Sequence, residues 1–394
     1  MSDLRIAQPD SPSPLLHKAA DLLRRGLAER GVVDDSACWV RLEVSPGFGA
    51  EGYRIEAMPA GVRIVGNDER GALYGVGKFL RHARIEGTRL LGTAWEGQAI
   101  PAKPIRAMYF ASHFHNVYHD APLETITRYV EDLALWGCNA LSVWFDMHHY
   151  QSIDAPAAQA MIARLKAILQ AAEAVGMSPG LTTLANEGFA STPEALKADW
   201  TAGHDGYFRA PGGHYHCEVC PDKPGGMELI LQTRRQVFEA FREVDLGFIW
   251  LWPYDQGGCT CTACAPWGTR GFLRTCEALT PLLTEYFPRA KAVLSTWYFD
   301  RFIAGEWEGL SRRFADGPPP GIDVLMIDDF GGFPEYPLQH GVPGCLPAIG
   351  FPEISMQGNS PWGGFGANPR PRHWSAYWDK ARHLLEGSFP YSEG

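Results

Sequence analysis

The chain reads as an α/β protein, a (β/α)8 barrel preceded by a small α+β domain, and three features of the sequence point there. From Ile105 onward, apolar strand-like runs alternate with amphipathic helical stretches. Most of those runs end abruptly in polar or ionisable residues, the pattern of a buried parallel sheet whose strand ends carry the chemistry. The first hundred residues differ, with a helix, several alternating strands and a second helix.

In the first domain, expected over 1–100, SPLLHKAADLLRRGLAERG (13–31) sets leucines and alanines at helical spacing and stops at Gly31. WVRLEV (39–44), GYRIEAMP (52–59) and GVRIVG (61–66) alternate as strands, and ERGALYGVGKFLRHA (69–83) returns to a helical period. GQAIPAKP (97–104), with two prolines and no period, reads as a linker into a barrel over 101–394. There IRAMYFA, NALSVWF, SPGLTTL, GFIWLW, KAVLSTW, IDVLMI and AIGFPEIS are seven strands with helices between them. FPYSEG (389–394) is the expected eighth strand; with no helix after it, the barrel is expected to be truncated there or to belong to a longer protein.

Composition narrows the function. A length of 394 residues with 45% hydrophobic content accommodates a barrel of about 250 residues plus a smaller domain. A formal charge of -10 and the lack of a Lys/Arg block argue against nucleic acid as a partner, because polyanion binding needs a basic face. No run of about 18 apolar residues occurs, so no membrane span is expected. MSDLRIAQPDSPSP lacks the apolar core of a signal peptide, which makes the cytoplasm the expected location. The glycine-rich patches GGFGANP and PGGHYH do not lie between a strand and a helix, so no organic cofactor is expected. The sequence leaves the oligomeric state open.

The most informative segment is GFIWLWPYDQGGCTCTAC (247–264), where the most apolar strand runs straight into Tyr254 and Asp255. Burial at such a strand end raises a carboxyl pKa, as a general acid requires, so Asp255 is the leading catalytic candidate. Glu187, Asp328, Asp329 and Glu353 end other strands and are further catalytic candidates. His113, His115, Asp146, His148, Trp297 and Trp362 stand beside them as candidate substrate contacts, with Tyr254. Carboxylates, imidazoles and aromatic rings on one rim make a sugar pocket, with acids and bases for the bond and flat rings for the pyranose face. A carbohydrate is therefore the expected partner.

Of the nine cysteines, five cluster at Cys217, Cys220, Cys259, Cys261 and Cys264, on loops after neighbouring strands. The two C-x-x-C pairs, 217/220 and 261/264, can close a tetrahedral thiolate site, with Cys259 or His216 as alternates. The competing reading is a set of small buried thiols. If a metal is present, four thiolates leave no open position, and the zinc would be structural.

ERGALYGVGKFLRHA followed by a linker and KPIRAMYFASHFHN resembles the junction of the family 20 glycoside hydrolases, the β-N-acetylhexosaminidases, and of the related α-glucuronidases. CPDKPGGMELILQTRRQVFEAF leading into GFIWLWPYDQ resembles the hexosaminidase approach to its catalytic fourth strand. The resemblance implies a small domain before a barrel, a glycosidase activity, and a sugar-binding role for Arg106 at the start of strand one. It also implies a catalytic Asp-Glu pair. Here Asp255 falls on either member, with Gln256 or Tyr254 on the other, so one carboxylate stands where the family has two. Two other functions remain open. One is an α-glucuronidase-like hydrolase using Arg106, Arg270 or Arg301 for a uronate, and the other is a carbohydrate-binding barrel without catalysis.

Overall fold

The computed structural model describes residues 6–9, 11–33, 38–113, 116–199, 217–254, 258–301, 303–329, 332–355 and 370–392. The chain separates into two compact units, Met1–Arg106 with Pro122–Asn139 and Gln170–Met177, and Ala107–Ala121 with Ala140–Leu169 and Ser178–Gly394.

The first unit contains α1 (Pro14–Ala28), β1 (Trp39–Val44), β2 (Tyr53–Met58), β3 (Gly61–Gly66) and α2 (Glu69–His82). The Ser13 side chain caps α1 by accepting from the Leu16 N–H at 3.2 Å, and Pro14 fills a position whose N–H needs no partner. Asp68 caps α2 in the same way, accepting from Gly71 at 2.8 Å. β1 and β3 run parallel, β2 is antiparallel to β3, and Val40, Leu42, Val62 and Ile64 are buried. The stretch 97–104 is not all linker. Gly97–Ala99 adds an edge strand to β2, with Tyr53 opposite Ala99, before Pro101 and Pro104 end any pairing.

Eight parallel strands form the barrel: β4 (Ile105–Phe110), β5 (Ala140–Trp144), β6 (Ser178–Leu184), β7 (Phe248–Trp252), β8 (Lys291–Ser295), β9 (Val324–Asp328), β10 (Ala348–Phe351) and β11 (Leu385–Ser388). β4 is bonded to both β5 and β11, which closes the ring. Helices α3 (Leu123–Leu135), α4 (Pro156–Ala174), α5 (Gly226–Phe241), α6 (Gly271–Tyr286), α7 (Glu306–Arg313), α8 (Glu335–His340) and α9 (Pro371–Ala381) connect successive strands. Every residue of β5, β7 and β9 is buried, which is why these strands are continuous apolar runs and not alternating ones.

Two expected strands are corrected. Proline breaks AIGFPEIS at Pro352 into β10 and the short Glu353–Ser355, because it has no N–H to give the ladder. The eighth barrel strand is β11, ahead of FPYSEG; Tyr391–Ser392 pairs with Tyr109 and Phe110 as a short continuation beyond Pro390. The ring of eight strands is closed. Among the described residues, no helix is long and apolar enough to cross a membrane.

Close backbone approach explains one helical glycine. A Cβ on Gly77 would lie 1.8 Å from the Leu135 carbonyl oxygen, so α2 and α3 meet main chain to main chain. Gly77→Ala is expected to force them apart and destabilise the protein by about 1–3 kcal/mol, read as a lower urea midpoint with an unchanged slope. An unchanged midpoint would mean that the two helices yield freely at this point.

Candidate active site

A parallel barrel brings all strand C-termini to one rim. After β4 come Ser112 and His113; after β5, Asp146 and His148; after β6, Asn186 and Glu187; after β7, Tyr254. β8 leads into Trp297, β9 ends in Asp328 with Asp329 next, and Glu353 follows β10. All of these are buried. Asp255, His115 and Trp362, and the alternates Gln256 and His216, lie outside the described residues.

Burial dominates the electrostatics of the two adjacent aspartates. It pushes the carboxyls of both Asp328 and Asp329 up to about 7, although Asp328 accepts from the Tyr298 N–H at 3.2 Å and Asp329 from the Glu353 N–H at 3.4 Å. A carboxyl titrating near neutrality can hold or release a proton at working pH. Burial likewise raises Asp146, and the contact of its Oδ2 with His149 Nδ1, 2.5 Å away, offsets part of that rise.

Glu187 is held from several sides. Its Oε1 accepts from the His148 backbone N–H at 3.1 Å and lies 2.6 Å from His148 Nδ1. Arg234, fully buried on α5, donates to the Glu187 carbonyl at 3.1 Å and to the Leu184 carbonyl, fixing the end of β6. Glu187 Oε2 is buried and has no hydrogen-bond partner among the described residues.

Aromatic rings from several strands also meet one another in the barrel. Trp252 packs against Trp297 and Phe351 at centroid distances of 5.3 Å each and against Trp144 at 5.9 Å. Tyr109 lies 5.1 Å from Phe351 and 5.7 Å from Tyr391, and His113 sits 4.1 Å from the Trp144 ring. The indole N–H groups of Trp144, Trp250 and Trp252 are buried without a hydrogen-bond partner among the described residues.

Two expected substrate contacts are engaged elsewhere. Arg106 lies at the N-terminal end of β4, not at the mouth, where it donates to Glu51 at 2.5 Å and to the Gly137 and Lys103 carbonyls at 2.8 Å. An arginine second in its strand is a strand length away from the rim that carries the acids. Tyr254 is buried and gives its hydroxyl to Glu306 at 2.5 Å. Glu306 also accepts from the Gly268 N–H at 2.6 Å, and burial pushes its carboxyl up to about 7. Sequence reasoning passed over Glu306 because it opens a helix, where a glutamate is unremarkable. Asn186 is the other residue whose role emerges only in three dimensions. Its side chain accepts from the Gly258 N–H and donates to the Gly258 carbonyl, both at 2.9 Å, and donates to the Val219 carbonyl at 3.0 Å.

Of the five clustered cysteines, Cys220, Cys259, Cys261 and Cys264 bring their sulfurs within 4.8 Å of one another, and Cys217 stands outside that group. Cys217 points its carbonyl toward the Thr192 hydroxyl at 3.4 Å. Of the expected arrangements, the group is the alternate that includes Cys259, with one cysteine from the first loop and three from the second. Asp146, His148 and His149 also lie within 4.8 Å of one another, but the Nδ1 atoms of the two imidazoles face Glu187 and Asp146.

These environments set two expectations. Asp329 titrates near 7 in the fold but near the ordinary aspartate value of 3.8 when unfolded, so the fold holds a proton there that the unfolded chain has released. Stability from this group is therefore present below about pH 4 and is lost as pH rises toward 7. Asp329→Asn should have a higher Tm than the parent at pH 8, with the difference vanishing below pH 4; a pH-independent difference would mean a solvated carboxyl. Asn186→Ala leaves the Gly258 N–H and carbonyl without their partner and should cost about 1–3 kcal/mol in denaturant titrations for each group left unsatisfied.

No family model matches the sequence, and no curated protein does either. Solved structures do. The chain is similar to a glycoside hydrolase family 20 β-N-acetylglucosaminidase at 15% identity and a TM-score of 0.67, covering 99% of this chain and 82% of the other. It is similar to the family 20 β-N-acetylhexosaminidase from Streptomyces coelicolor A3(2), with 15% identity, a TM-score of 0.64, and coverage of 98% and 81%. It is also similar to the β-N-acetylhexosaminidase from Bacteroides fragilis NCTC 9343, with 15% identity, a TM-score of 0.64, and coverage of 100% and 81%. The chain therefore has the fold of the family 20 β-N-acetylhexosaminidases, over nearly its whole length.

Proposed function

We propose that this protein is a glycoside hydrolase that releases a β-linked N-acetylhexosamine at the C-terminal rim of its barrel. The observation that carries this reading is the meeting, on one rim, of buried carboxyls titrating near 7 with a continuous group of tryptophan and tyrosine rings. Glycosidic cleavage needs two carboxyl groups, one to protonate the leaving oxygen and one to assist attack at the anomeric carbon. Aromatic faces hold the sugar while the acids work. Glu187 Oε2 and the Trp144 and Trp252 indole N–H groups, buried without hydrogen-bond partners among the described residues, are an acceptor and donors that sugar hydroxyls would complete. Among the structural neighbours, a Streptomyces plicatus N-acetyl-β-hexosaminidase was solved with Thio-NAglucal and a mutant of a Streptomyces plicatus β-hexosaminidase with the product GlcNAc, which supports this sugar class.

In this proposal Asp255, which follows the most apolar run of the sequence, is the general acid. It gives its proton to the glycosidic oxygen as the bond to the anomeric carbon breaks. Residues 254–256 hold one carboxylate, so the second is assigned to the Asp328–Asp329 pair on β9. Water then adds to the anomeric carbon and restores the proton.

A panel of aryl glycosides tests the reading. Hydrolysis of an aryl N-acetyl-β-glucosaminide is expected, and Asp255→Asn should lower kcat about 10²–10⁴-fold for a poor leaving group, and much less for an activated aryl group that needs little protonation. Cleavage of uronides alone would favour the glucuronidase-like reading. Sugar binding without turnover on any substrate would make the protein a carbohydrate-binding barrel.

A further inference from the structure

We infer that Cys220, Cys259, Cys261 and Cys264 form a closed four-thiolate zinc site that fastens the loop after β7 to the loop after β6. The four sulfurs lie within 4.8 Å of one another, Cys220 being 3.8 Å from Cys261 and 4.0 Å from Cys264. Four sulfurs on a tetrahedron about 2.3 Å from a central zinc are separated by about 3.8 Å, so the cysteines already stand at coordination spacing. A disulfide brings two sulfurs to about 2.05 Å and leaves no reason for a third and fourth to gather around them.

Hydrogen-bond donors converge on the sulfurs. The Arg274 guanidinium donates to Cys264 Sγ at 3.8 Å and is itself oriented by Asp222 at 2.9 Å. Backbone N–H groups of Asp222 and Lys223 approach the Cys220 sulfur, and those of Cys261 and Asp199 approach Cys259. Donors converging on sulfur are the outer shell of a metal thiolate centre, and one arginine offsets part of its net negative charge. A set of sulfurs alone, without carboxylate or water, selects zinc over calcium or magnesium. The turn that presents Cys220 is built for it, since a Cβ on Gly226 would lie 2.0 Å from the Cys220 carbonyl oxygen.

Four thiolates leave the metal no open position, so its role is to position the chain and not to activate water. The segment it holds is specific. Tyr254 is tied to Glu306, Gly258 to Asn186, and Cys259 to the metal, so the chain is held at 254 and again at 258 and 259. The site stands on the cysteine geometry alone and holds whether or not the barrel cleaves sugars.

The test is the metal content of the full-length chain purified without chelator. About one zinc per chain is expected, released by a mercurial titrant into a colorimetric chelator, with cobalt(II) replacement producing thiolate-to-metal charge-transfer and tetrahedral absorption bands. Cys259→Ser and Cys264→Ser should abolish stoichiometric zinc, whereas Cys217→Ser should retain it. Protein free of zinc whose four thiols react equally with Ellman's reagent before and after zinc addition would overturn the inference. So would iron in place of zinc, or a Cys217→Ser protein that loses metal while Cys259→Ser keeps it. If the serine variants fail to fold, zinc release and the cobalt spectrum of the unsubstituted chain decide the matter.

Discussion

A barrel strand covered on both faces has no water to satisfy its backbone, and this constraint shapes the rest of the molecule. Each N–H and C=O must find a neighbouring strand, which an open edge cannot provide, and closure of β4 on β5 and on β11 supplies the missing partners. The side chains must then be apolar throughout, as they are in β5, β7 and β9. Polar chemistry is driven to the strand ends, where residues can be largely buried and still reach a ligand.

The same desolvation raises the rim carboxyls. Asp328 and Asp329 titrate near 7 because they are placed where water is scarce, and the backbone donors from Tyr298 and Glu353 are too few to restore the charged form. Glu306 shows that a raised carboxyl is not by itself a catalyst. It reaches about 7 under the same burial, yet its oxygens are engaged by Tyr254, Gly268 and Asp300, so it positions the chain. What distinguishes the β9 aspartates is their place at a strand end.

The loops add precision that the barrel alone does not provide. Asn186 closes a reciprocal pair of hydrogen bonds with Gly258, and the four cysteines gather immediately afterwards, so the loops after β6 and β7 are joined at consecutive points. Buried amide groups are satisfied in this way by side chains where no ladder is available. A long loop after a catalytic strand is otherwise the part of a barrel with most freedom to move.

By itself, the sequence determined the class of fold and the position of the rim. Strand residues with no water on either side must be apolar, so the runs at 105–111, 139–145, 178–184 and 247–252 announce buried parallel strands before any pairing is known. Which polar residues follow each run is read equally directly, because that is a matter of order along the chain. Only the tertiary structure decided what each of those residues touches. Arg106 was legible as an arginine at the start of a strand, but its direction depends on Glu51 and Gly137, which are distant in sequence. Tyr254 looked available until Glu306 met it from 52 residues away. Spacing suggested two C-x-x-C pairs with Cys259 as an alternate, and the fold gathers Cys259 with Cys220, Cys261 and Cys264, because sulfur-to-sulfur distance is set by how two loops cross and not by their separation along one of them.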